Sequence, residues 1–165
     1  MKLHFTVYGV AVPKGNMRAI QMKGMKFPVV TDSNKSVKSW SQLVAQAAST
    51  AIQQLPDHER AVMRGAVRLS IAFYMPRPKK FTRPQYADEP CLTTPDWDKL
   101  ARAVGDALSE VVYADDKQIV EAMIGKFYCR VDDVPHIDVK VEPTTGLQPL
   151  PVSPAPLPLF DGIEV

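Results

Sequence analysis

The chain has 165 residues, of which 45% are hydrophobic and 23% charged, with 15 prolines and only 2 cysteines. That length predicts one domain with its own core, in no need of a disulfide or zinc staple. No apolar run approaches the roughly 20 residues that cross a membrane, and the first residues alternate where a signal peptide would be uniformly apolar. Cys91 and Cys129 form no Cys-x-x-Cys pair, and His4, His58 and His136 are scattered. This spacing argues against a zinc ribbon or redox motif and fits a cytoplasmic chain with reduced thiols.

Taken in order, residues 2–10 alternate with period two, Leu3, Phe5 and Val7 sharing one face, as a half-buried strand does. Residues 11–28 read as a loop, with a short strand near 26–31. Asp32-Ser33-Asn34 offers caps for a helix to about Gln54, striped by Val37, Trp40, Leu43, Val44, Ala47, Ala48 and Ile52. Leu55-Pro56 ends it. Residues 66–75 form a strand with Val67, Leu69, Ile71 and Phe73 on one face. A Pro-punctuated basic loop spans 76–95. Thr94 as cap and Pro95 at the first helical position then start a helix to about Glu110. Leu100, Ala103, Val104, Ala107, Leu108 and Val111 stripe it, and Trp97 is a candidate for core packing over base stacking. Asp115-Asp116 makes a turn, and 119–130 and 136–142 are strands.

The order β, α, β, α, β, β gives an α/β (α+β) fold, a small mixed sheet of about four to five strands with two main helices. Residues 1–141 form the domain. Residues 142–165 hold six of the 15 prolines and read as an extended or disordered tail.

Charge is unevenly spread. The net +2 becomes +5 once the three tail acids (Glu142, Asp161, Glu164) are set aside. Lys14, Arg18, Lys23, Lys26, Lys35 and Lys38 face one acid, Asp32. Arg77, Lys79, Lys80 and Arg83 crowd a second loop. Such clusters suit a polyanion, because each phosphate neutralised releases condensed counterions.

The stretch that carries chemistry is Thr94-Pro95-Asp96-Trp97-Asp98-Lys99-Leu100-Ala101-Arg102. At an irregular helix start, Asp96 and Asp98 can lean toward one point. If the strand after Asp115 and Asp116 returns beside them, three or four carboxylates converge. Clustered carboxylates repel unless a cation neutralises them, and hard oxygen ligands suit Mg²⁺ or Mn²⁺. Such an ion activates water and stabilises charge on a phosphodiester. Arg102 shares a helix face with Asp98 and is placed to orient a carboxylate or bind phosphate. The alternative is ordinary: a helix-dipole aspartate, a turn, and an i,i+4 ion pair.

The run Pro95-Asp96-Trp97-Asp98-Lys99-Leu100-Ala101-Arg102, then Asp106-Ala107-Leu108, then Tyr113-Ala114-Asp115-Asp116-Lys117-Gln118-Ile119-Val120 resembles the RusA-type Holliday junction resolvases. Their pattern is Asp-x-Asp-Asn-Leu-x-Lys, Asp-Ala-Leu, and a hydrophobic turn ending Asp-Asp-x-x-Val. The resemblance extends over about residues 2–141 and includes the Pro13-Lys14-Gly15 loop. It implies a RusA-like, homodimeric, Mg²⁺-dependent endonuclease that nicks opposed strands of a four-way DNA junction, with a phage or prophage source. It puts the metal-binding aspartates on Asp96, Asp98 and Asp116, with Asp115 beside them. Asp96, Asp98, Asp116 and Arg102 are then the catalytic set. Lys14, Arg18, Lys23, Lys26, Arg77, Lys79, Lys80, Arg83 and Lys99 are assigned to DNA. Lys99 replaces the family asparagine and Arg102 the family lysine. Two rival readings stay open, a branched-DNA-binding protein that does not cut and an adaptor acting through its tail. The tail motif Pro156-Leu157-Pro158-Leu159-Phe160 is similar to sliding-clamp-binding peptides, with Leu157, Leu159 and Phe160 as anchors.

Overall fold

A computed structural model describes residues 1–15, 17–20, 29–32, 36–78, 89–130 and 132–145. Six strands and two long helices follow one another as β1 (Leu3–Tyr8), β2 (Met17–Ile20), β3 (Val29–Asp32), α1 (Val37–Gln53), β4 (Val67–Met75), α2 (Trp97–Leu108), β5 (Ile119–Tyr128) and β6 (His136–Pro143). The main sheet is mixed, in the order β1-β6-β4-β5. β6 is antiparallel to β1 and β4, and β4 is parallel to β5. A parallel pair needs a crossover, and α2 supplies it. The expectation of an α+β fold with a mixed sheet and two helices holds.

Period-two alternation drives one face of β1, β4 and β6 inward. Leu3, Phe5 and Val7 of β1, Val67, Leu69, Ile71 and Phe73 of β4, and Ile137, Val139 and Val141 of β6 are all buried. α1 covers them with Trp40, Val44 and Ala48, and α2 with Leu100, Ala103, Val104, Ala107 and Leu108. Lys38 and Gln42 of α1 and Asp98 and Arg102 of α2 are left exposed. Across the outer face of the sheet, Tyr74 stacks on His136 at 4.4 Å and lies 6.0 Å from Phe127, so this tyrosine packs within the sheet.

Four sequence expectations need correction. β2 and β3 form a separate two-stranded hairpin, and Asp32 pairs with Met17 there instead of capping α1. α1 begins at Val37 after Ser36. α2 begins at Trp97, with the extended residue Asp96 in the cap position. Thr94 and Pro95 therefore lie in the turn before the helix, joined by a cis peptide bond. α2 ends at Leu108, because Ser109 is extended and Glu110 takes a positive φ of 65°.

Candidate active site

The segment leading into α2 is held against the free edge of β5. Cys91 N–H donates to the Lys126 carbonyl at 2.9 Å, and Tyr128 N–H donates to the Glu89 carbonyl at 2.9 Å. Lys126, whose neighbours Ile124 and Tyr128 two residues away are directed toward the core, completes the attachment. Its Nζ donates to the carbonyls of Thr93 at 2.6 Å and Pro95 at 2.8 Å. The turn that aims the first residues of α2 is thus pinned by a strand lysine.

Asp96, Trp97 and Asp98 line one cavity of about 620 Å³ with Lys126, Ile124 and the 91–94 segment. Asp96 accepts an ion pair from Lys99 Nζ at 2.9 Å. The hydrogen bond and charge of Lys99, with the more distant charge of Lys126, hold the Asp96 carboxyl below its ordinary value. Lys99 is raised in turn by its bond to Asp96 and the charges of Asp96 and Asp98. Asp96 and Asp98 are both exposed, with open solvent in front of them. Arg102 is exposed one turn beyond Asp98 on the same helical face.

Asp115 and Asp116 do not join them. Asp115 caps a short 3₁₀ turn, Asp116–Gln118, by accepting from Lys117 N–H at 3.0 Å, while its own N–H donates to Gln118 Oε1 at 3.0 Å. Lys117 Nζ lies 2.8 Å from the same carboxylate, and these bonds depress its pKa. Gln118 fastens the turn to the carbonyls of Met63 and Gly65 at 3.0 and 2.8 Å. Asp116 sits close enough to Tyr113 to help burial raise the phenol. That hydroxyl donates to the Gly105 carbonyl at 2.8 Å. The acidic turn thus lies beside the Gly105 level of α2, about 10 Å along the axis from Asp98 at 1.5 Å per residue. Among the described residues, no group of three or more His, Cys, Asp or Glu side chains is placed to hold a metal ion. The expected convergence of three or four carboxylates within one chain is replaced by two separate acidic pairs. α2 and β5 run in opposite directions, so their connection opens at the other end of the helix.

The basic residues divide likewise. Lys14 donates its N–H to the Lys99 carbonyl at 3.0 Å and pairs its ammonium with Asp106, locking the Pro13-Lys14-Gly15 loop onto α2. Arg77 is a structural residue. Its side chain is only 7% exposed, donates to the Cys129 carbonyl at 2.8 Å, pairs with Glu89 at 3.3 Å and lies over the Tyr128 ring. It is not an open phosphate contact. Arg18 is in β2. Lys23, Lys26, Lys79, Lys80, Arg83, Leu157, Leu159 and Phe160 lie outside the described residues, as do Phe81 and Tyr86.

Trp97 also departs from expectation. It is 60% exposed, not in the core. Its place three residues before Leu100 extends the apolar stripe on paper. The flanking aspartates, both facing the cavity, are the signal that its end of the helix is wet.

Two exposed carboxylates lining one cavity suit a hard divalent cation that keeps several waters and shares a phosphate ligand. No helix among the described residues is long and apolar enough to cross a membrane. The chain is 31% identical over 146 residues to the uncharacterized protein YqaN of Bacillus subtilis (strain 168), covering 84% of this chain and 94% of that one. The endodeoxyribonuclease RusA family model matches residues 9–142, a span that includes the Asp96–Asp98 cavity, Lys126 and the Asp115–Asp116 turn. The chain is a member of the RusA endodeoxyribonuclease family.

Proposed function

We propose that this chain is a divalent-metal-dependent endodeoxyribonuclease that resolves four-way DNA junctions by paired phosphodiester hydrolysis, acting as a homodimer in recombination and repair. The observation that carries the proposal is the placing of Asp96 and Asp98 on one cavity, within the family's motif, at the start of α2. The nuclease unit spans residues 1–141 and the tail 142–165.

Asp96 and Asp98 would hold Mg²⁺, with Mn²⁺ as a substitute. When bound, the ion lowers the pKa of water and offsets phosphate charge. The protein's own part is positional. Lys126 fixes the turn that directs both carboxylates. Arg102 offers a permanently charged fork to a phosphate oxygen but does not exchange a proton near neutrality. Lys99 neutralises Asp96 until a stronger cation competes. Asp115 and Asp116 stay in the proposal as acidic residues of the family motif, at a distance from the cavity within one chain. A two-fold assembly matches the substrate, since a junction offers two equivalent scissile phosphates.

The Lys99–Asp96 ion pair favours one second reading, a branched-DNA-binding protein that does not cut. A labelled four-way junction with Mg²⁺ or Mn²⁺ separates the two. Paired nicks that vanish in Asp98→Asn while junction binding persists are expected of the nuclease. Binding without nicks in either metal, or nicking indifferent to Asp98→Asn, refutes it.

A further inference from the structure

We propose that the cavity beside the start of α2 takes one unstacked nucleotide of a branched DNA, its base laid on the Trp97 indole beside Asp96, Asp98 and Lys126. This rests on the nuclease reading and adds how the strand is gripped.

The walls are divided as a nucleotide is. Leu92, Trp97 and Ile124 supply an apolar side. The two aspartates, two threonines and Lys126 supply a polar one. At about 620 Å³ the cavity falls within the usual size of small-molecule sites, about 300–1,000 Å³. Single exposed apolar residues are ordinary on a protein surface. Here Leu92, 91% exposed, and Trp97, 60% exposed, meet at the rim of the same charged cavity. Folding has left both side chains unburied at a cavity that a base could enter.

An aromatic face accepts any base, because every base has a π-surface. Extruding a nucleotide costs least where pairing is already interrupted, as at a branch point. The ammonium of Lys126, fixed by the Thr93 and Pro95 carbonyls, keeps the opposite wall in place. Trp97 lies between Asp96 and Asp98 in sequence, so a base seated on it brings the strand beside the carboxylates that would hold the metal.

The chain has two tryptophans, and the other, Trp40, is 3% exposed in the core. Emission changes on adding DNA therefore report Trp97. The full chain is titrated without divalent metal against a four-way junction and, separately, a short single-stranded oligonucleotide, with anisotropy of labelled DNA reporting binding. Quenching that follows the anisotropy curve is expected. Abasic sites at the branch should restore most of the emission. Trp97→Phe should bind within about threefold of the parent, and Trp97→Ala about tenfold more weakly. Binding without quenching, or quenching indifferent to abasic sites, overturns the nucleotide pocket. An oligonucleotide that quenches while the junction does not bind sinks the junction reading and leaves the pocket standing.

Discussion

Replacing Lys126 by methionine tests the idea that the carboxylates owe their aim to a strand residue. Methionine keeps the unbranched stem and deletes the ammonium, so the bonds to the Thr93 and Pro95 carbonyls at 2.6 and 2.8 Å are lost. Hydrogen bonds to charged groups contribute about 1.5–3 kcal/mol each when shielded. One of these is open to solvent, so the pair together is worth about 1–2 kcal/mol. Urea denaturation should show that loss. The effect on cutting should be larger. A displacement of about 1 Å in a reacting group costs on the order of 10²-fold in rate, and the freed turn carries Asp96 and Asp98 directly. Single-turnover nicking at saturating protein should therefore fall about 100-fold, while junction affinity stays within about threefold. Lys126→Arg, which can still donate to both carbonyls, should recover part of the rate. If Lys126→Met unfolds more easily but cuts at the parent rate, the turn does not position the carboxylates and the reasoning fails.

Tyr113 is buried and raised by desolvation, with Asp116 adding to it. Its neutral form supports the fold fully below the unfolded phenol value of about 10, and that support is lost as pH rises through the higher folded value. Tyr113→Phe should cost about 1 kcal/mol at pH 7, from the Gly105 bond, and should flatten the alkaline limb of a stability–pH curve. An unchanged alkaline limb would count against the assignment. Arg102→Lys should keep or raise nicking and Arg102→Ala should lower it, measured at matched junction occupancy. Equal rates for all three would remove Arg102 from the reaction. Junction affinity should fall steeply with salt, with a log–log slope of about −0.9 per phosphate contacted. Arg77→Gln should leave that slope unchanged because the guanidinium is already committed inside the protein.

The strands and helices of the main sheet were legible because each has one dry face. Leu3-Phe5-Val7 and Val67-Leu69-Ile71-Phe73 state their period in the sequence, and both recur as buried rows. The β2–β3 hairpin was half read, for Met17-Arg-Ala-Ile shows no alternation and its partner was visible only as a short strand. The start of α2 was misplaced by two residues. Thr94-Pro95 matches a cap-and-first-turn pattern, yet Asp96 holds the cap position. Lys126 was missed altogether, since a single lysine inside a strand carries no motif and its partners are carbonyls 31 and 33 residues away. The separation of Asp96–Asp98 from Asp115–Asp116 was illegible for a related reason. Spacing along the chain does not say which end of a helix the returning strand meets.

β6 lies between β1 and β4, although it is made last of the three. Leu3 finds its partner at Val141 only after nearly the whole domain has left the ribosome. Such distant pairing makes for slow, late assembly. A chain cut short before His136 would leave its first and fourth strands with no common neighbour, and nothing upstream could rescue them. A stop codon just after Thr145 would spare every described strand. For the sheet, premature termination should therefore act as a threshold, leaving it complete on one side of residues 136–143 and broken on the other.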